Sequence, residues 1–308
     1  MDKIILPLVS LRVLTYNHES FIEEALKGAF SQTYEPLEII ISDDKSQDRT
    51  VEIIEKLVNE YKGKHKVIFN INDNNLGISA HLSKVMGMSS GEFLVGAAGD
   101  DISLPNRVSV IVEEWLKSNK KIKSFFSNAV RIDEKGKGRD LYFENPPIYA
   151  SNIEDYLNDN RSLRIRLGQP LVWQLGATQA FEKSLYDNFS APDPKALQED
   201  GIYAFRGLLS GGVKYIDKPL IKYREHINSI SSLKSYKSIQ RMKIHEKYYR
   251  LTQLNDARLI KNKSKKLLRK LFISYQFSRI FSELYKLHFF ANGIFILKNK
   301  IKRMNCVL

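Results

Sequence analysis

Asp100 and Asp101 stand side by side in FLVGAAGDDISLPNR (93 to 107), after a short apolar run and ahead of a helix that Pro105 would open at its first turn. Two carboxylates on one tight turn repel each other unless a positive charge lies near. A hard divalent cation, Mg²⁺ or Mn²⁺, supplies that charge and normally reaches a protein through one or two carboxylates plus substrate phosphates. The same acids would also serve as ordinary helix caps. Two further polar clusters follow apolar runs: Thr15, Tyr16 and Asn17, and SDDKSQDRT at 42 to 50, which holds Asp44.

The elements that must position these clusters alternate. Val9 to Leu14 reads as a strand, then Ser20 and Glu23 have capping-box spacing before Ile22, Ala25, Leu26, Ala29 and Phe30 repeat at helical period. LEIII at 37 to 41 is a continuous apolar run, as a parallel strand buried on both faces requires. A helix follows Asp48 with Val51, Ile54, Val58 and Tyr61 inward, then a strand at Val67 to Ile71, a helix carrying Leu82, Val85 and Met86, and a strand at Phe93 to Ala97. Strand–helix alternation gives right-handed βαβ units and a mainly parallel, Rossmann-like α/β sheet flanked by helices, whose ligands bind beyond the carboxyl ends of the strands. All three clusters fall on that rim. Ile122 to Ile132 reads as a further strand, and residues 133 to 170 as long loops with a helix around Ile153 to Leu157.

Several chemistries lose their best support. No GxGxxG follows the first strand and no GxxxxGK[ST] occurs; HExxH, GxSxG and paired CxxC are also missing.

The formal charge of +13 over 308 residues is uneven. Residues 234 to 308 carry 19 Lys and Arg against 3 acids, while residues 1 to 233 carry 29 against 32, so the basic character belongs to the tail. A nucleic-acid binder driven by that tail is the alternative reading, yet it would want basic charge on the folded domain, which is net negative. A lone cysteine, Cys306, fits a reducing compartment, and Met1 to Pro7 is too short for a signal peptide. The expectation is a cytoplasmic protein that can lie on the inner face of the cell membrane.

Taken in order, TYN (15 to 17), SDDKSQDRT (42 to 50), DNNLG (73 to 77), GEFL…GDDISLPNR (91 to 107), Glu199–Asp200 and YREHINSIS (223 to 231) resemble a family 2 glycosyltransferase of the GT-A fold, over about Val9 to Ser231. The resemblance implies a catalytic domain at 1 to 232, an inverting transfer from a nucleotide-diphosphate sugar, and the following roles. Thr15, Tyr16 and Asn17 lie against the nucleoside, Asp44 accepts a hydrogen bond from a base such as uracil, and Asp100 joins the nucleotide site. Asp101 is the direct ligand to Mn²⁺ or Mg²⁺, with His226 a further metal or phosphate contact; Ala98 stands where the commoner pattern has another Asp. Asp200 is the catalytic base with Glu199 beside it. Trp173, Gln174 and Gly176 wall the donor sugar and acceptor, and Arg224 clamps phosphate. The implied partners are a UDP-linked donor, or a dTDP-sugar in the alternative, and a glycan or polyprenyl-diphosphate-linked acceptor of bacterial O-antigen or capsule.

Residues 233 to 308 form the second region, helical in composition, where KSKKLLRK (263 to 270) precedes FISYQFSRIF and LHFFANGIFIL. The pattern is that of an amphipathic membrane-surface element. A solvated helical pair or an oligomer contact is the competing reading.

Overall fold

Val9–Thr15 (β1), Leu37–Asp43 (β2), Lys66–Ile71 (β3) and Phe93–Ala98 (β4) are parallel neighbours in the order β3-β2-β1-β4. β1 and β2 are strands because their β-branched and leucine side chains fill both faces of the sheet: six of seven residues of β1 and all seven of β2 are buried. The computed structural model describes residues 6–147, 149–158, 174–197, 199–226, 236–260 and 264–304, with backbone alone at 236–242 and 286–304.

Helices Ile22–Phe30 (α1), Thr50–Glu60 (α2), Ile78–Met88 (α3) and Arg107–Lys117 (α4) connect or follow these strands. On one face Val9, Leu11, Val13, Ile39, Ile41, Phe93 and Val95 pack against Ile22 and Leu26 of α1, Ile54 of α2 and Val108, Ile111 and Trp115 of α4. On the other face Leu94 meets Leu82 and Met86 of α3. Each fully enclosed aliphatic or aromatic side chain contributes about 1.5–3 kcal/mol.

Beyond β4 the sheet becomes mixed, which the apolar runs did not foretell. Ala180–Glu182 (β8) runs antiparallel to β4 and to Ser124–Ile132 (β6), and β6 lies parallel to the long strand Val213–Arg224 (β9). Ile102–Ser103 (β5) pairs antiparallel with β9, and Gly138–Leu141 (β7) with β6. The antiparallel pairings are two or three residues long, so the sheet stays mainly parallel by length.

Two local expectations fail. Ser20 makes no capping hydrogen bond; α1 starts instead from the His18 carbonyl, which accepts from the amides of Phe21 and Ile22. Pro105 sits in the turn before α4, whose first residue is Arg107.

The expected helix near 153 is Ile153–Asn158 (α5); Ser184–Asp187 (α6) and Glu199–Ser210 (α7) follow, then Tyr236–Leu259 (α8) and Lys265–Met304 (α9). Leu254 and Ala257 of α8 and Leu267 and Leu271 of α9 share a core with Phe126, Tyr156, Ala204, Phe205 and Leu208. Arg206 of α7 and Asp256 of α8, both out of solvent, pair at 2.8 Å. The basic helices therefore pack on the sheet domain through both apolar surface and a buried charge pair.

Candidate active site

The carboxyl ends of β1 and β2 lie level, Thr15 opposite Asp43, because the two strands pair in register throughout. Asp43 folds the next turn back on itself, accepting from the Ser46 amide at 2.7 Å and its hydroxyl at 2.5 Å. Asp44 is buried and reaches the other way. Its Oδ1 accepts from Asn72 Nδ2 and the Leu76 amide, both at 2.8 Å, and its Oδ2 from the Gly77 amide at 2.9 Å. It thereby holds DNNLG against the end of β2, with lone-pair capacity left on Oδ2. Asn17 takes φ 55° and exchanges bonds with the Ser46–Gln47 turn, while Tyr16 is exposed. Tyr16, Asn17, His18, Phe21, Gln47 and His226 are among the residues lining a cleft of about 670 Å³.

The acid turn is fixed by the short strand that sequence patterning missed. β5 pairs Ile102 with Lys222 and Ser103 with Ile221, drawing Asp100 and Asp101 to the end of β9. There the Arg224 amide donates to Asp101 Oδ1 at 2.8 Å, and His226 Nε2 lies 3.0 Å from Asp100 Oδ2. From the other side His18 Nε2 comes within 3.9 Å of the same oxygen. Gly99 makes that approach feasible: a Cβ there would lie 2.6 Å from His18 Nδ1 and 2.7 Å from Thr15 Oγ1.

The two acids are not equivalent. Burial, and then the neighbouring charge of Asp100, push Asp101 well above the usual carboxylate range. Burial opposes ionisation of Asp100 too, but the hydrogen bond from His226 and the adjacent imidazoles hold it below its ordinary value. Asp100 therefore carries the charge, while Asp101 sits behind it on backbone. Burial also lowers His18, against the pull of Asp100, leaving its imidazole neutral near pH 7.

Arg224, expected on phosphate, is almost wholly buried and commits its guanidinium elsewhere. It donates to the carbonyls of Asp100, Asp133 and Glu134 and to the Glu24 carboxylate, and lies 4.9 Å over the Phe21 ring. It bolts the acid turn to α1 and to the β6–β7 turn.

Glu199 and Asp200 open α7. Burial pushes Asp200 up to about 6; burial and then the charge of Asp200 push Glu199 up to about 8. Gly176, in the turn Gly176–Thr178, borders this pair: an added Cβ would lie 3.3 Å from Asp200 Cβ. Gln179 ties the region together, donating to the Asp200 carbonyl at 2.8 Å and to Gln174 Oε1 at 2.5 Å, while its own carbonyl accepts from the Gly96 amide. Gln174, expected on a sugar wall, is buried against Ser124. Trp173 and the residues after His226 in YREHINSIS lie outside the described residues. Arg107 Nη2 bridges the carbonyls of Gly96 and Ala177, at 2.5 and 2.9 Å, linking the β4 end to the Gly176 turn. Buried Tyr249 of α8 packs on Ile202 and Ala196, bracing α7 from behind.

The structure thus joins Asp100, Asp101, Arg224 and His226 in one cluster and Gly176, Gln174, Glu199 and Asp200 in a neighbouring one, with Thr15, Tyr16 and Asn17 along the rim. His18, Arg107 and Gln179 escaped sequence reasoning. The histidine directly follows TYN, and that adjacency was the available signal. Among the described residues no three His, Cys, Asp or Glu side chains already stand at metal-holding geometry.

Residues 10–167 match the family model described as Glycosyl transferase family 2. An uncharacterized glycosyltransferase of Methanocaldococcus jannaschii is 33% identical over 138 residues, 44% of this chain and 45% of that protein. A GalNAc(5)-diNAcBac-PP-undecaprenol beta-1,3-glucosyltransferase of Campylobacter jejuni is 29% identical over 132 residues, 42% of this chain and 40% of that one. The chain thus spans less than half the length of these relatives. Among solved structures, residues 1–349 of S. aureus TarS with UDP-GlcNAc superpose at TM-score 0.54 and 15% identity, covering 91% of this chain and 92% of that one. A mannosyltransferase from Pyrobaculum calidifontis with GDP-Man and Mn²⁺ gives 0.55 and 14%, covering 94% of this chain and 76% of that one. These likenesses show a shared GT-A fold, and with the family match over half its length the chain belongs to glycosyl transferase family 2.

Proposed function

We propose that this protein is an inverting, metal-dependent glycosyltransferase. It moves a hexose or N-acetylhexosamine from a UDP-sugar to a hydroxyl of a glycan or polyprenyl-diphosphate-linked oligosaccharide in bacterial O-antigen or capsule synthesis. The observation that carries the reading is Asp100 Oδ2 lying 3.0 Å from His226 Nε2, with buried Asp200 tied through Gln179 to the Gly96 amide of β4.

A divalent cation fits the donors present. Ligands about 2.1 Å from an octahedral ion sit roughly 3 Å apart when adjacent, and Asp100 Oδ2 to His226 Nε2 is 3.0 Å. Asp100 and His226 would hold the ion, with His18 in reach, and diphosphate oxygens would complete the shell. Asp100, not Asp101, is thus the proposed ligand. When bound, the cation neutralises charge building on the departing diphosphate.

Asp200 takes the proton from the acceptor hydroxyl as that oxygen bonds to the sugar C1 and the C1–O bond to diphosphate breaks, its electrons leaving with the nucleotide. Neutral Glu199 keeps a second negative charge out of the pocket. Asp44 Oδ2 accepts from the uracil N3–H, with Thr15, Tyr16 and Asn17 along the nucleoside. The relatives support this reading: the Campylobacter jejuni enzyme is named for a glycan on undecaprenol diphosphate, and the solved neighbours hold UDP-GlcNAc, or GDP-Man with Mn²⁺. The acceptor class sets the place of work at the inner face of the cell membrane.

The test is release of nucleotide diphosphate from a panel of UDP-, dTDP- and GDP-sugars, with and without Mn²⁺, by the native protein and Asp200→Asn. No release from any donor would overturn the reading.

A further inference from the structure

We infer that one arc of α9 is a lipid-docking face that takes an anionic bilayer, an inference that rests on the membrane-side reading above and names the residues responsible. Ile273, Phe277, Ile280, Phe281 and Leu284 are 42 to 58% exposed. At 3.6 residues per turn they fall within an arc of about 100°. The inward side of the helix is a different arc. Leu267 and Leu271 enter the core shared with α5 and α7, and Ser278 and Ser282 are buried, the Ser282 hydroxyl donating to the Ile244 carbonyl of α8. So α9 has one apolar side committed to the protein and a second, continuous over three turns, facing outward.

The outward arc continues toward the helix N-terminus as charge. Exposed Lys266 falls on the same arc and exposed Arg269 about 20° beyond its edge, one to two turns before Ile273. Apolar side chains followed by cations along one face suit the boundary between acyl chains and acidic headgroups. A second copy of this chain suits it poorly, because residues 234 to 308 carry 19 basic residues against 3 acids and two such segments repel when apposed. No described helix is long and apolar enough to cross a bilayer, so the contact is side-on.

The test uses the full chain floated with vesicles of phosphatidylcholine alone, or with about one third phosphatidylglycerol. The native protein floats with the anionic vesicles, at least tenfold more than with the neutral ones. F277D/F281D and K266E/R269E each reduce flotation at least tenfold while still unfolding in one cooperative thermal transition, since Phe277 and Phe281 are 43% and 42% exposed and Lys266 gives up a 3.3 Å surface bond to Asn158 Oδ1. Equal flotation of native and variant proteins, or no flotation of the native protein, overturns the inference. So does a native dimer in light scattering that F277D/F281D splits. Nucleotide release from a soluble donor separates the two readings: variants that lose flotation yet turn over donor normally support this inference, and loss of flotation with no turnover by any form supports it while overturning the proposed activity.

Discussion

Arg206 and Asp256 meet at 2.8 Å between α7 and α8, each enclosed, so the helix that begins with Glu199 and Asp200 is held by a charge pair to a helix after residue 236. Removing one partner leaves the other charge buried alone, which costs about 3–5 kcal/mol. Asp256→Ala should therefore lower unfolding stability by that amount in urea titration, and a chain ended at residue 232 should not fold. A cost under 1 kcal/mol would mean the pair is not enclosed in solution.

Asp100→Asn and His226→Ala should each weaken Mn²⁺ activation. Outer partners of a metal ligand alone contribute about 10–100-fold in metal affinity, so these two should cost at least as much. Asp101→Ala should instead act on stability, because it removes the Oδ1 that accepts from the Arg224 amide. Metal titration of turnover distinguishes the two acids; equal effects at both positions would reverse the assignment.

Asp200→Asn should reduce kcat by about 10²–10⁴ while leaving donor binding, read by thermal protection, near native. With Asp200 pushed up to about 6, native turnover should rise as pH passes through that value and the base ionises. A rate flat from pH 5 to 7 would contradict its assignment as base.

Glu199 offers a stability measurement with a defined sign. Its pKa is raised from 4.5 to about 8, so the fold favours the protonated acid. That contribution is complete below about pH 4.5 and is lost as pH climbs through 8. Glu199→Gln, neutral at every pH, should gain in thermal midpoint relative to native between pH 6 and 9, with the difference smallest near pH 5. A gap that shrinks with rising pH would refute the burial argument.

Gly99→Ala should damage the cluster without touching any ligand atom, since the new methyl would stand 2.6 Å from His18 Nδ1 and 2.7 Å from Thr15 Oγ1. The acid turn must then shift, and Mn²⁺ activation should fall in titration while urea stability changes by about 1–3 kcal/mol.

The rim was legible because β1 and β2 are buried on both faces and β4 over its first half, so they appear as apolar runs, each ending in its polar cluster. β5, β7 and β8, at two to four residues, are too short to show a period, and β9 carries Lys and Asp where its edges meet solvent. Their pairings decide which acid faces His226, so residue types in sequence identified the cluster but not the roles within it. Arg224 is the same lesson in one side chain: a guanidinium near acids fits phosphate on paper, and only its neighbours show that its donors are occupied. Packing of the C-terminal helices was hidden because composition registers their lysines, while the contacts come from Leu254, Ala257, Leu267 and Leu271.

The two-residue pairing of β5 with β9 has a consequence for synthesis on the ribosome. Positions 102 and 103 wait for 221 and 222, so a nascent polypeptide that has exposed Asp100 and Asp101 still lacks the strand that holds their turn. Until residue 224 leaves the exit tunnel, such a chain has an incomplete sheet and an acid turn with nothing to hold it.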